Sequence, residues 1–110
     1  MASRWEVRLA EAAERDFRTI VAWTVEHFGS THARRYRDVL VSALASLADG
    51  PTPLNWRARD EIASGLRSLH VSQRGRRARH VVFFRQGPDN VIEVLRILHD
   101  AMDPARHIPP

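Results

Sequence analysis

The sequence predicts an α+β fold in the order β-α-α-β-β-β: a helical hairpin packed on a small antiparallel sheet, closed by a short C-terminal turn or helix. Three observations predict it. Apolar residues recur at helical spacing from residue 10 to residue 49, broken only at Gly29-Ser30. Three runs rich in β-branched and aromatic residues follow, separated by turn chemistry. Two helices joined by so short a link fold back on each other, and consecutive strands joined by short turns make an antiparallel meander.

The first strand is Trp5-Glu6-Val7-Arg8-Leu9, which alternates apolar and polar and so has one buried face. The first helix covers 10–28. Its stripe is Ala13, Phe17, Ile20, Val21, Thr24 and Phe28, with Glu14, Arg15, Arg18 and Glu26 largely off it. Glu11 and Glu14 sit in the first turn, where the helix dipole favours anions. Gly29 suits the stop, and Ser30 is the expected N-cap of the second helix. That helix runs from about 31 to 49 on Ala33, Tyr36, Leu40, Ala43, Leu44 and Leu47, and ends at Gly50-Pro51. Val39, Val41 and Ala45 lie off the stripe, as ordinary surface or as part of a docking groove.

Residues 51–64 read as a loop in which Trp56 packs over the core edge. Strands are expected at 66–72 and 78–85, with a basic hairpin tip at 73–77 between them. In the second of these, Val81 and Phe83 share one face and His80, Val82 and Phe84 the other. Gln86-Gly87-Pro88-Asp89-Asn90 is a turn. The last strand opens Val91-Ile92-Glu93-Val94-Leu95-Arg96-Ile97-Leu98, apolar enough for a central strand covered on both faces. Glu93 and Arg96 are an odd number apart and are expected on opposite faces. The strand delivers His99 to one end of the sheet, and Asp103-Pro104 reads as a cap and first residue of a short terminal helical turn.

With 110 residues the chain fits one domain over 1–110. A hydrophobic content of 44% and a charged content of 27% describe a globular protein. No apolar run approaches the ~20 residues that cross a bilayer, and Arg4, Glu6 and Arg8 interrupt any secretory pattern. Cysteine is absent, which excludes thiol chemistry and suits a cytoplasmic location. The 17 basic residues are all Arg. Between Ile62 and Pro88 there is no Asp or Glu, yet Arg67, Arg74, Arg76, Arg77, Arg79 and Arg85 fall there. Such a segment suits an acidic or polyanionic partner.

Catalytic signatures are sparse. There is no Gly-rich phosphate loop, no His-Glu-x-x-His, no Gly-x-Ser-x-Gly, no metal-ligand spacing among the six His residues and no acidic cluster for Mg²⁺. No metal or cofactor is expected. Metal-free RNA cleavage needs a base, a cation for the phosphorane and an acid for the leaving oxygen. Arg67, Arg79, Arg85 and His99 could supply parts of that, or simply solvate an exposed face.

The linked features resemble the ParE branch of the RelE/ParE toxin superfamily over residues 4–107. The likeness is carried by the hairpin with Tyr36 and the Leu40/Leu44/Leu47 stripe, by Gly65-Leu66-Arg67, by Arg79-His80-Val81-Val82-Phe83-Phe84-Arg85, and by Val94-Leu95-Arg96-Ile97-Leu98-His99-Asp100-Ala101-Met102-Asp103 with Arg106-His107. The resemblance implies a toxin neutralised by a ParD-like antitoxin, a ribbon-helix-helix dimer whose acidic C-terminal segment orders on the toxin, and no sequence-specific DNA binding by the toxin alone. It also implies inhibition of DNA gyrase without enzymatic turnover. RelE-type relatives instead cleave ribosome-bound mRNA with Lys, Arg and a C-terminal Tyr; this chain has no Lys, and its one Tyr lies on a helix. The expected target- or antitoxin-binding residues are Arg74, Arg76, Arg77, Arg79, Arg85, Arg96 and His99. A ribosome-dependent mRNA interferase and a non-toxic binding protein stay open as alternatives.

Overall fold

The structure, a computed structural model, describes residues 4–72 and 77–110. Strand β1 (Glu6–Leu9) leads into helix α1 (Glu11–Phe28) and helix α2 (Ser30–Ser46), which continues as one 3₁₀ turn, Leu47–Asp49. Strands β2 (Arg57–Ala58), β3 (Arg67–His70), β4 (His80–Gln86) and β5 (Val91–His99) follow, then a 3₁₀ turn at Pro104–Arg106. The strands form one sheet in the order β1-β5-β4-β3-β2. The α+β class and the helical hairpin on a sheet are as the sequence predicts. Part of the expected hairpin tip, including Arg74 and Arg76, lies outside the described residues.

The sheet differs from an all-antiparallel one in its first strand. The β3-β4-β5 meander is antiparallel, but β1 pairs with β5 in parallel. The reason lies where α2 ends. The Trp5 amide donates to the Ala48 carbonyl at 2.9 Å, so the hairpin returns the chain to the start of β1 rather than its end. Two antiparallel reversals later, β5 runs in the direction of β1. The loop at 51–64 also contributes a two-residue edge strand, β2, paired through Arg57 and Ser68.

The two helices meet at a single non-helical residue. Gly29 takes a φ of +89°, a conformation open to glycine without a Cβ penalty, and its amide closes α1 on the Val25 carbonyl. Ser30 is already helical and gives no side-chain cap, because its position falls inside α2. At the 87–91 turn, Asp89 and Asn90 both adopt left-handed φ, which short polar side chains tolerate.

Two cores form, one on each face of the sheet. The helical face buries Ala13 and Ile20 of α1 and Leu40, Ala43 and Leu47 against Leu69, Val82, Phe84, Ile92, Val94 and Ile97. Each large side chain removed from water there is worth roughly 1.5–3 kcal/mol. The outer face buries Leu66, Phe83 and Leu98 under Ile108 from the C-terminal tail. Strand β5 is therefore central and covered on both faces, and β4 splits Phe83 from Val82 and Phe84 as its alternation requires.

A β-bulge reorders β5. Phe83 pairs with Arg96 while Phe84 pairs with Val94, which leaves Leu95 unpaired. The extra residue shifts the phase, so Glu93 and Arg96 pair with Arg85 and Phe83, two residues on the same face of β4. The expected split of Glu93 and Arg96 across the sheet fails for that reason. Phe28 departs too. It belongs to the helical stripe by spacing, yet is 60% exposed in the last turn of α1.

Candidate functional site

Helix α1, the start of α2 and the ends of β4 and β5 enclose an open, mainly apolar groove of about 470 Å³. Its walls carry Trp23, Phe28 and His32, and its floor carries Tyr36, His80 and His99. Trp23 stacks on His27 with ring centroids 4.1 Å apart, Phe28 tilts against Trp23 at 5.8 Å, and His32 lies 5.3 Å from Phe28. An aromatic ladder thus runs over the turn of the hairpin, with Trp23 52% exposed. Contiguous apolar surface of this kind marks interaction sites in monomeric proteins.

A polar relay crosses the floor. The Tyr36 hydroxyl accepts the Arg79 amide at 3.1 Å and lies 2.5 Å from His80 Nδ1. The hydroxyl and Nδ1 share one hydrogen, the hydroxyl donating when the His80 N–H sits on Nε2. Burial, reinforced by the nearby His99, pushes the His80 imidazole down to about 4, so it is neutral at physiological pH. Burial likewise raises the Tyr36 phenol above its ordinary range, against the lowering pull of the Arg79 amide; the Asp100 charge also raises it. The His99 ring stands edge-on to His80 at 5.4 Å, and its Nδ1 accepts the Ala101 amide at 3.0 Å. On the other side, His70 Nδ1 accepts the Ser72 amide, which leaves Nε2–H to donate to Asp100 at 3.1 Å. That bond holds the Asp100 carboxyl below its ordinary range.

The candidate nuclease residues do not converge. Arg67 and Arg85 lie toward one end of the sheet, Arg79 and His99 at the other; His80 and Arg85 are five residues apart on β4, ~17 Å at strand rise. Arg67 pairs with Phe84 and Arg85 follows it, so these two also face opposite ways. Arg67 packs over the Trp56 ring at 4.5 Å and donates to the Pro51 carbonyl at 2.7 Å, which also places Trp56 at the core edge as expected. Arg85 pairs with Glu93 at 3.4 Å.

Among the expected binding residues, Arg79 and His99 line the groove, and exposed Arg77 lines a second depression beside His32 and Tyr36. Arg79 has no side-chain partner among the described residues. Arg96 is turned inward instead: its Nε and Nη2 donate to Asp16 at 2.7 and 2.9 Å, and Nη1 to the His107 carbonyl at 3.2 Å. Trp23, His32 and His80 were not among the site residues expected from the sequence. An off-stripe tryptophan beside the hairpin turn was the available signal for Trp23; the others become a site only through tertiary proximity. No group of His, Asp and Glu among the described residues converges to hold a metal ion, and no described helix is long and apolar enough to cross a membrane.

Comparison with known proteins places this geometry. The family described as "ParE toxin of type II toxin-antitoxin system, parDE" matches residues 7–104. Toxin ParE1 of Mycobacterium tuberculosis is 32% identical over 108 residues, covering 98% of this chain and all of that protein, in two strains. Among solved structures, a chain of the chromosomal ParDE toxin–antitoxin system from P. aeruginosa superimposes with a TM-score of 0.68 at 20% identity, covering 86% of this chain and 95% of that one. A chain of the RelBE2 toxin–antitoxin complex from Mycobacterium tuberculosis gives 0.59 at 21% identity, covering 93% and 98%. The match across nearly the whole length, in sequence and in fold, makes this chain a member of the ParE family of type II toxin–antitoxin toxins.

Proposed function

We propose that this toxin arrests growth in the cytoplasm by binding DNA gyrase without catalytic turnover, and that a ParD-like antitoxin holds it inactive by occupying the groove over the helical hairpin. The observation that carries the antitoxin half is the groove itself: exposed Trp23 and Phe28 on its walls and, at its rim, Arg79, whose side chain has no partner among the described residues. An amphipathic helix with acidic residues complements such a surface, burying apolar anchors in the groove and setting its charge against arginine. A partner segment that is disordered when free and orders on this face suits a chain with so much basic surface. Toxin–antitoxin complexes among the structural relatives support a partner of this kind.

The non-enzymatic half is supported by the dispersal of Arg67, Arg79, Arg85 and His99, and by how several cations are already engaged. Arg59 holds Glu61 at 2.8 Å, Arg85 holds Glu93, and Arg96 holds Asp16. A cation committed to a carboxylate is poorly placed to meet a phosphorane. The test is a supercoiling assay with purified toxin and gyrase from the same cell. Loss of supercoiling that the antitoxin reverses is expected; full activity at excess toxin would remove the gyrase reading. Mapping mRNA ends after induction tests the interferase alternative, for which codon-linked cuts are required.

A further inference from the structure

The floor of the groove ends in a corner with an unusual balance of hydrogen-bonding groups. His80 Nδ1 is filled by Tyr36, and His99 Nδ1 by the Ala101 amide. The Ala101 amide on Nδ1 puts the N–H of an uncharged His99 ring on Nε2, and His80 carries its N–H there too when the Tyr36 hydroxyl is the donor. Neither Nε2 has a protein partner among the described residues. Because no buried side-chain nitrogen or oxygen described is left without one, the His80 Nε2 reaches the open groove. Arg79 lines the same groove, and its guanidinium has no side-chain partner among the described residues. Three donor-bearing side chains thus line one end of the groove; of the nearby acceptors, Tyr36 takes the Arg79 amide, and Asp100 takes His70 on Oδ2 while its Oδ1 lies 3.5 Å from His99 Nδ1.

We infer that this corner is a carboxylate receptor, and that it takes an Asp or Glu side chain lying next to a bulky apolar anchor on the antitoxin segment. The inference rests on the groove being the antitoxin's seat and names the chemistry that seat selects. Trp23, Phe28 and Ile20 would take the anchor, and the corner would take the acid. Charge-assisted bonds from guanidinium and imidazole to a carboxylate are the strong kind. The acid also has a proton consequence. His80 is surrounded by Tyr36 from α2, Asp16 from α1, His70 from β3, His99 at the end of β5 and Asp100 just after it, with Arg79 immediately before its own strand. Adding one carboxylate to that set favours the charged imidazole, so binding takes up protons.

The test uses 4-phenylbutyrate, an apolar body with one carboxylate, and its uncharged amide as the control. Titrations of the full chain are followed by NMR at the Trp23 indole and at the ring protons of His80 and His99, and by calorimetry in buffers of different ionisation enthalpy. The acid is expected to bind saturably, move all three residues and take up protons; the amide to bind at least tenfold more weakly. Exposed Arg79 is replaced without cost to the fold, so Arg79→Gln should weaken the acid severalfold and leave the amide unchanged. Equal binding of acid and amide, or acid binding that leaves both histidines unmoved, would overturn the receptor. The cognate antitoxin, titrated onto wild type and Arg79→Gln, separates this from the seat itself. Equal affinity with loss on Trp23→Ala would keep the seat and discard the receptor, whereas no loss on Trp23→Ala would discard the seat.

Discussion

Asp16 and Arg96 stand 80 residues apart in the chain and close on each other through two hydrogen bonds, 2.7 and 2.9 Å long. The pair seals an edge. Strand β1 covers β5 only as far as Val94, and beyond it α1 takes over as neighbour. There the Asp16 carboxylate also accepts the Ile97 amide at 2.9 Å, a backbone donor that no strand reaches. The bonds to Asp16 raise the Arg96 guanidinium further above its usual range. Asp16→Ala would leave a half-buried cation and an amide unpaired together. The expected loss is about 2–3 kcal/mol, less than a fully buried pair because both groups keep some contact with water. That lowers the melting temperature by roughly 8–12 °C. Breaking the more exposed Glu6–Arg8 pair by Glu6→Ala should change stability by about 0.5 kcal/mol or less. Thermal denaturation of both variants checks the contrast.

His80 predicts an acid-sensitive fold. Its folded-state value is depressed to about 4 from an ordinary 6.5, chiefly by burial. The unfolded chain therefore binds a proton in a pH range where the folded chain does not. The stability this neutral imidazole gives is complete above pH 6.5 and is lost as the pH falls from 6.5 towards 4. At 1.36 kcal/mol per unit, discounted because the ring is partly open to solvent, the loss is about 1–2 kcal/mol. Urea denaturation at pH 7 and pH 4.5 should show that extra loss in the wild type. It should shrink in His80→Gln, which cannot take up the proton.

What the sequence could and could not disclose divides along range. The helical stripes, the turns and the alternation of β4 follow from spacing within a dozen residues, and Ala13, Ile20, Leu40, Phe83 and Phe84 are buried where that spacing puts them. The parallel pairing of β1 depends on where α2 ends relative to β1, a tertiary fact with no local signal. The bulge at Leu95 is equally silent, because an apolar run reads the same with or without it. The groove was partly legible: Arg79 and His99 are in it, and Tyr36 was prominent. Arg96 illustrates the opposite error. An arginine in a strand near the tail looks like a contact residue until Asp16, distant in sequence, is found against it.

Removing the aromatic wall should separate binding from folding. Trp23 and Phe28 are more than half exposed, so Trp23→Ala with Phe28→Ala should melt within about 0.5 kcal/mol of the wild type. The same pair sits where an antitoxin helix would bury its anchors, and interface aromatics of this type commonly carry 2 kcal/mol or more. Affinity for the antitoxin is expected to fall at least 30-fold, roughly the factor that 2 kcal/mol represents. Calorimetry of the complex checks it, and an unchanged dissociation constant would put the antitoxin elsewhere on the surface.

Arg67 and Arg85 give the sharpest separation between a toxin that binds and a toxin that cuts. As a nuclease residue, either arginine would stabilise charge at the phosphate, and its loss would cost orders of magnitude in cleavage. The structure gives them different work. Arg67 clamps Trp56 and the Pro51 carbonyl, so Arg67→Gln should destabilise the fold by about 1–2 kcal/mol. Arg85 pairs with Glu93 in a half-exposed position, so Arg85→Gln should cost about 0.5 kcal/mol or less. For a non-catalytic toxin, Arg85→Gln keeps its toxicity, and Arg67→Gln loses toxicity only in proportion to the folded fraction. Growth after induction, scored beside the melting curves, decides between the two. A fully folded Arg85→Gln protein with toxicity abolished and RNA ends unchanged would move Arg85 into the target interface, whereas toxicity and RNA cuts vanishing together would make the chain an RNA-cleaving enzyme.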